Sequence, residues 1–572
     1  MSASEISTAL LVIAWLAING YFFVSAFLRF ENKDEYIYTR KILKSALAWA
    51  RAPAASLNFN LFLLLLPVCR NLLSVCRGIR PCQFLRHQLD NNIICHQLLA
   101  WAVTLLTAVH VIAHVFNLER YAGAWSAGEN NTLIGALSRL DGSGYLNPFR
   151  NENTTPLLAS VTTVAGITGI VATICLLLLL SSSAPLIRRS FYELFWLTHH
   201  LSAIFYIAIA FHGYGRIVRG QTEESLKNHK PENCSERFNE WAPNTPCPPP
   251  QFTGSEPKTW KWILAPMVLY ALERGLRFYR AQQTVAITRV VCHPSRVLEL
   301  RLRKRGFSAG VGQYVFLCIP SLRSLEWHPF TLSSAPEDDY FSVHVRVVGD
   351  WTEGLAEVCG MAEEFEEVEN AEGGEHRLRS PTLDIWQLPF VAVDGPFGSP
   401  ADAVFEYNTS VCIAGGIGVT PFASVLKSTW NRVSRGSHLK LSKIYLFWLC
   451  RDTHAFEWFA ELLVALESQL TDIGRPETLE YNIFLTAWDE NQALHIAMRH
   501  EQETDVILGT KQKTSFGRPS WDREFSRLVE KHQGEEVGVF LCGPPKLADV
   551  VRKKCSAFSK NQTKFVFHKE NF

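Results

Sequence analysis

The stretch His96-Gln-Leu-Leu-Ala-Trp-Ala-Val-Thr-Leu-Leu-Thr-Ala-Val-His110-Val-Ile-Ala-His114 decides how the rest of the chain is read. It is apolar over the length that a helix needs to cross a bilayer, about 20 residues for about 30 Å of hydrocarbon. It nevertheless carries three imidazoles, and ionisable groups at membrane depth are costly and usually functional. His96 and His110 are 14 residues apart, which on an α-helix is about 21 Å of rise and about 40° short of four full turns. Both side chains therefore face one neighbouring helix at two depths.

Working outward, five more apolar runs lie near 9–28, 52–72, 157–181, 194–213 and 259–279, so six spans are expected. No charged residue falls between Leu157 and Leu180. The run from 194 holds His199, His200 and His212. His199 and His212 are separated by about 20 Å of rise but by about 140° of azimuth. Either that helix is locally distorted or His200 takes the place of His199; spacing leaves both open.

Arg70, Arg77, Arg80 and Arg86 in one loop and Arg188 and Arg189 in another argue that these loops are cytoplasmic. Arg29, Lys33, Arg40, Lys41 and Lys44 in the first loop pull the other way. Sequons at Asn130, Asn153 and Asn233 fall in the alternate loops and support the first assignment, although Asn408 and Asn561 are sequons too. Of 14 cysteines, Cys234 and Cys247 alone lie in those alternate loops, where an oxidising exterior favours a disulfide between them. Six crossings would leave both termini cytoplasmic.

In that orientation the third and fifth spans run the same way, which puts His96 level with His199 and His110 level with His212. Paired neutral imidazoles are ligands for haem iron or another transition metal. Met267 is the only methionine in a span, and no Cys-x-x-Cys-His occurs. Two non-covalent b-type haems are expected; structural zinc usually takes four ligands where each tier offers two. His114 lies one turn beyond His110, and Arg51 opens the second span. Both are candidates for the outer haem site, pairing a propionate or receiving a small acceptor.

At 572 residues with 47% apolar and 19% charged residues, the chain is too long for one core and too apolar for disorder. A formal net charge of +1 removes the electrostatic case for a nucleic-acid partner. From Gln282 the pattern changes to that of a soluble α/β protein. Leu298, Leu300 and Leu302 alternate with charged residues, as do Val343, Val345 and Val347, the period of half-buried antiparallel strands. Between them runs His328-Pro-Phe-Thr-Leu-Ser-Ser-Ala-Pro336.

A strand at Val411–Ile413 then enters Ala414-Gly-Gly-Ile-Gly-Val-Thr-Pro421, with Thr420 expected as the helix N-cap and Pro421 as its first residue. Such a strand–glycine turn–helix unit brings a pyrophosphate to backbone N–H groups. Further buried strands are expected at 444–449, 482–487 and 537–541, the last ending in Cys542-Gly-Pro544. Arg451, after the second of the expected strands, and Arg518, in a Gly-Arg-Pro loop, suit a ribose 2′-phosphate.

The combination closely resembles the catalytic subunit of the phagocyte-type NADPH oxidases, a flavocytochrome b. Besides the histidines, the resemblance rests on His328-Pro-Phe-Thr, Gly416-Ile-Gly-Val-Thr-Pro, Cys542-Gly-Pro and Lys569-Glu-Asn-Phe572. Tyr38-Thr-Arg-Lys, Arg51-Ala-Pro-Ala, Arg216-Ile-Val-Arg-Gly-Gln-Thr, Gly349-Asp-Trp-Thr-Glu and Arg451-Asp-Thr-His-Ala-Phe-Glu-Trp extend it over the whole chain. It implies a six-helix di-haem domain over 1–281, an antiparallel β-barrel FAD domain over 282–398 and a Rossmann-like NADPH domain over 399–572.

The resemblance also implies cofactors and roles. NADPH would reduce FAD, the inner haem on His96 and His199 would accept single electrons, and the outer haem on His110 and His212 would reduce O2 near Arg51 and His114. It selects His199 over His200. It places His328, Pro329, Thr331, His344 and Arg346 around FAD, with Phe572 on the flavin ring, and Gly416, Gly418, Thr420, Pro421, Arg451, Arg518 and Cys542 around NADPH. Family members work with a small membrane subunit, cytosolic organiser and activator proteins and a Rac-type GTPase, in plasma, endosomal or phagosomal membrane.

Two features depart from that pattern. Ala414 stands where the family usually has the first glycine of its nucleotide loop, and residues 363–381 form an acidic insertion. The insertion is expected to be a solvated loop available for a regulatory contact. Ferric reductases share the architecture and differ in acceptor; a histidine-lined proton channel is the reading of another class, and would conduct without haem absorbance.

Overall fold

The computed structural model describes residues 3–79, 88–126, 132–150, 154–293, 296–361, 388–437, 439–451, 457–487, 505, 511–559 and 563–570. The acidic insertion, Arg80, Arg86, Asn130, Asn153, Asn561 and Phe572 lie outside them. Two compact units emerge: Ile6–Cys69 with Asn91–Leu272, and Met1–Glu5 with Arg70–Asp90 and Glu273–Phe572.

The first unit is helical. Among the described residues five stretches are long and apolar enough to cross a bilayer, at Ile6–Asn32, Ala46–Val68, Asn92–Ser126, Val164–Ser182 and Tyr192–Gly215. The expected sixth is present as the helix Thr259–Ala281 but does not meet that standard. Lys261 at one end and Glu273, Arg274, Arg277 and Arg280 at the other leave an uncharged run only from Trp262 to Leu272. That run spans about 16 Å, roughly half a hydrocarbon core.

Polar side chains hold the helices where lipid offers no partners. Trp15 Nε1 donates to Asn60 Oδ1 at 3.0 Å, Ser56 Oγ to the Asn19 carbonyl at 3.0 Å, and Tyr206 Oη to the Leu61 carbonyl at 3.0 Å. A cap built from the loops contains the expected Cys234–Cys247 disulfide, with a Cα separation of 5.6 Å. Beside it Tyr38 Oη donates to His229 Nε2 at 2.5 Å, and His229 Nδ1 donates to the Pro248 carbonyl at 2.6 Å.

The second unit has a barrel and a sheet. Antiparallel strands Val285–His293, Val297–Lys304 and Phe341–Arg346 form one half of the barrel, and His328–Thr331, Tyr314–Cys318 and Ala392–Phe397 the other. Alternation along these strands buries Leu298, Leu300, Leu302, Val343 and Val345 in one core. The sheet is parallel and six-stranded, in the spatial order Ser515–Phe516, Leu479–Leu485, Lys443–Cys450, Thr409–Gly415, Glu536–Cys542, Lys564–Lys569. The chain starts this sheet at Thr409–Gly415, builds outward to one side, then returns to the other. The reversal point lies between Thr409–Gly415 and Glu536–Cys542, the crevice where open parallel sheets bind ligands.

Barrel and sheet are joined by buried hydrogen bonds. Ser424 Oγ donates to the Ser334 carbonyl at 2.7 Å and accepts from Gly312 N–H at 3.2 Å. Asp394, only 2% exposed, receives Arg277 at 2.7 Å and Arg280 at 3.2 Å. Glu273 accepts the N–H groups of Asn71 at 3.0 Å and Leu72 at 2.9 Å, satisfying the first turn of the helix Arg70–Gly78. This clamp is not legible in the sequence, because a charge flanking an apolar run looks like an interfacial anchor until its partner is known.

Candidate functional site

Within the helical unit the histidines come together in two tiers. The His96 and His199 ring centres are 6.3 Å apart, and those of His110 and His212 are 6.0 Å apart. His96 and His110 sit on the single helix Asn92–Ser126. The awkward azimuth of the partner pair is resolved by a break: the run divides into Tyr192–His199 and Leu201–His212 at His200. There His200 N–H bonds the Leu197 carbonyl and Ala203 N–H the His200 carbonyl, both three residues back. A tighter turn advances the chain by about 120° per residue instead of about 100°, which rotates His212 toward the face of His199.

His200 is excluded from the tier. Its ring lies 4.2 Å from Trp196 and its Nδ1 bonds the Trp196 carbonyl at 2.8 Å.

The tiers fit iron porphyrins by size and by tautomer. Two metal–nitrogen bonds of about 2 Å, with about 1.1 Å from each nitrogen to its ring centre, give about 6 Å between ring centres. His96 Nδ1 donates to the Leu64 carbonyl at 3.0 Å and His110 Nδ1 to the Ala50 carbonyl at 2.7 Å. An Nδ1–H tautomer leaves Nε2 free to ligate. His114 packs edge-on against His110, 4.6 Å between centres, and the Arg51 guanidinium lies 5.1 Å from the Phe30 ring centre. Both expected acceptor-site residues thus belong to this unit, at the His110 and His212 end.

In the barrel, His328 stacks on Trp351 at 4.1 Å, Thr331 is buried opposite Tyr314, and Pro329 is exposed. His344 Nδ1 pairs with Ser333 Oγ at 2.7 Å while its ring lies against Trp458 at 4.1 Å. Burial drives its proton affinity down to about 3, with Glu299 opposing, so the imidazole is neutral at pH 7. Glu299 itself is held by His293 at 3.2 Å and Arg301 at 2.7 Å. Arg346, two residues beyond His344 on the same face, is exposed at the strand end.

The nucleotide loop differs from expectation at its cap. Gly416–Val419 form a 3-10 turn that runs into the helix Thr420–Ser434, and Val419, already helical at φ −74° and ψ −16°, is the cap. Thr420 is itself the first residue of the helix, already past the cap position, and its N–H bonds the Ile417 carbonyl in the 3-10 turn. Gly416 adopts φ +57°, which favours glycine. At Gly418 an added Cβ would lie 2.4 Å from the Cys542 carbonyl oxygen. The Gly418 and Cys542 loops therefore meet at the reversal point of the sheet. Arg451 and Arg518 are exposed beyond the carboxyl ends of Lys443–Cys450 and Ser515–Phe516, two strands separated in the sheet by Leu479–Leu485.

Glu570 lies in the Lys569-Glu-Asn-Phe572 motif, but nothing in the sequence shows that its carboxyl is buried. Its carboxyl is buried and accepts the Ala401 N–H at 2.7 Å. Burial raises its pKa to about 8; Asp90 adds to this, while the Ala401 N–H, Ser399 and Arg77 oppose it. A folded-state pKa above the ordinary 4.5 means the fold binds the extra proton, so its contribution to stability is complete below about 4.5 and is lost as pH rises through about 8. Thermal melts of the full chain in detergent should therefore weaken from pH 5 to 8.5, and Glu570→Gln should flatten that slope; an unchanged slope would remove Glu570 from the account.

Three family descriptions match: "Ferric reductase like transmembrane component" at residues 54–210, "FAD-binding domain" at 282–401 and "Ferric reductase NAD binding domain" at 407–556. Human NADPH oxidase 3 is 48% identical over 575 residues, covering 99% of this chain and 98% of its own. The chain belongs to the NADPH oxidase family. Rat NADPH oxidase 1 is likewise 48% identical to this oxidase, over 99% of the chain and 98% of its own length. A superoxide-generating NADPH oxidase heavy chain of Dictyostelium discoideum is 33% identical over 100% of the chain and 97% of its own length.

Proposed function

We propose that this oxidase carries electrons from NADPH through FAD and two b-type haems across a membrane to O2, releasing superoxide. The observation that carries the reading is the pair of facing imidazole tiers at 6.3 and 6.0 Å on two membrane-length helical runs. Bound FAD would supply the change from two-electron to one-electron transfer, and the haem irons the one-electron relay.

In this reading each residue has a task. His96 with His199, and His110 with His212, hold the two haems. His328, Pro329, Thr331, His344 and Arg346 bind FAD, and Phe572 covers its ring. The N–H groups at Gly416 and Gly418 receive the NADPH pyrophosphate, Thr420 and Pro421 open the helix behind that turn, Cys542 lines the same crevice, and Arg451 and Arg518 pair the 2′-phosphate. Arg51 and His114 place O2 or its anionic product beside the outer haem. His110 and His212 would both be engaged in holding the outer haem, so the task left to Arg51 and His114 is to keep O2 beside that group and not on it.

The division at 1–281, 282–398 and 399–572 belongs to this reading, as does a location in plasma, endosomal or phagosomal membrane. Cytoplasmic termini follow if Thr259–Ala281 is counted as the sixth crossing. The small membrane subunit, cytosolic organiser and activator proteins and a Rac-type GTPase are the proposed partners.

A reduced-minus-oxidised spectrum of the purified chain with haem and flavin counts, followed by NADPH-driven superoxide formation, tests the reading. Two haems, one flavin and a signal abolished by superoxide dismutase are expected. The ferric-reductase descriptions of two domains favour one alternative, a metal reductase of the same architecture. Metal reduction insensitive to superoxide dismutase would establish it instead.

A further inference from the structure

We propose that Thr168 is a positioning residue for His212: its hydroxyl takes the Nδ1–H of that imidazole, fixes the ring and its tautomer, and so sets the potential of the haem that His212 holds. The proposal rests on the di-haem reading above.

Thr168 lies on the helix Val164–Ser182, 44 residues from His212 in sequence. Its Oγ1 is 2.6 Å from the Val164 carbonyl oxygen and 3.1 Å from His212 Nδ1. A hydroxyl has one proton and two acceptor lone pairs. The proton goes to the nearer carbonyl, which can only accept, so the lone pairs face the imidazole and only an Nδ1–H can use them. That assignment leaves Nε2 unprotonated on the side of His110. The next residue cooperates, because a Cβ added at Gly169 would lie 3.2 Å from His212 Cε1. The absence of a side chain there lets the ring lie against the helix while Thr168 grips its edge.

The four tier histidines differ in what holds them. His96 and His110 use backbone carbonyls, which no substitution removes. His199 Nδ1 is buried with no hydrogen-bond partner among the described residues. His212 has the Ala165 carbonyl nearby as well, but Thr168 is the one side chain among the described residues that anchors a tier imidazole by its Nδ1. An acceptor on Nδ1–H raises the basicity of the ligand nitrogen and tunes the metal. A more basic imidazole favours ferric over ferrous iron and lowers the midpoint.

The test compares Thr168→Val, which keeps the branched shape and loses the acceptor, with Thr168→Ser, which keeps the hydroxyl. Each full-length oxidase is purified and titrated spectroelectrochemically. In Thr168→Val one of two midpoints should rise by the equivalent of about a tenfold change in the oxidised-to-reduced ratio, about 59 mV for a one-electron couple. The other midpoint should stay, and Thr168→Ser should match the parent. Loss of one haem from the valine variant alone would also support the proposal. Two unmoved midpoints in a valine variant that retains both haems would overturn it, as would an equal shift in the serine variant. A parent protein holding fewer than two haems would overturn the di-haem reading, and this inference with it.

Discussion

Replacing His110 with alanine should remove one of the two haems and reduce NADPH-driven superoxide formation by more than about 100-fold, the upper end seen when a metal ligand merely loses its hydrogen-bond partner. The physical basis is direct. His110 is one half of the tier whose ring centres are 6.0 Å apart, and its Nδ1 is already committed to the Ala50 carbonyl. His114, whose ring meets His110 edge-on at 4.6 Å, lies one helical turn beyond it on Asn92–Ser126 and so is off the level of the His110 and His212 tier, not placed to substitute. Reduction of a soluble dye by NADPH, which needs only the FAD and nucleotide domains, should persist. Haem counting by pyridine haemochrome separates the outcomes, and a variant retaining both haems would refute the assignment.

The second large effect is expected at Gly418. A methyl group there would lie 2.4 Å from the Cys542 carbonyl oxygen, an atom of a buried strand end that has nowhere to go. The loop must therefore move away from the crevice that it shares with Cys542. A displacement of about 1 Å at a reacting centre can cost roughly 100-fold, so Gly418→Ala should depress NADPH-dependent flavin reduction on that scale while haem content stays normal. Gly416→Ala should cost less. It meets no atom within 4 Å and suffers only the left-handed φ of +57°, a strain of about 1–2 kcal/mol. Stopped-flow flavin reduction ranks the two; equal effects would show that the close approach at Gly418 is not what the site requires.

The contrast between these positions and others shows which parts of the molecule are legible from the chain alone. His96 and His110 are separated by a number of residues that a regular helix converts into a depth and an angle, so their tiered arrangement can be read locally. The strand, glycine turn and helix from Thr409 to Ser434 are likewise contiguous, as is the alternation that builds the barrel. The run near 259–279 reads as a full crossing only when the charges inside its helix are treated as flanks. Threonine before proline is a frequent helix start, which makes Thr420 look like a cap; the preceding 3-10 turn takes that role instead.

What the chain determined by itself was the kind of protein: two depths of imidazole in apolar helix, followed by a flavin barrel and a nucleotide sheet. Those signals are short-range and periodic, so they survive without coordinates. Only the tertiary structure decided which partner each group meets. The break at His200 turns His212 into line, Thr168 takes its Nδ1, Asp394 gathers Arg277 and Arg280, and the fold seals Glu570 in a buried pocket. Apart from the local break at His200, each depends on segments distant in sequence coming within about 3 Å of one another, and a hydrogen bond or a burial cost exists only once that approach has been made.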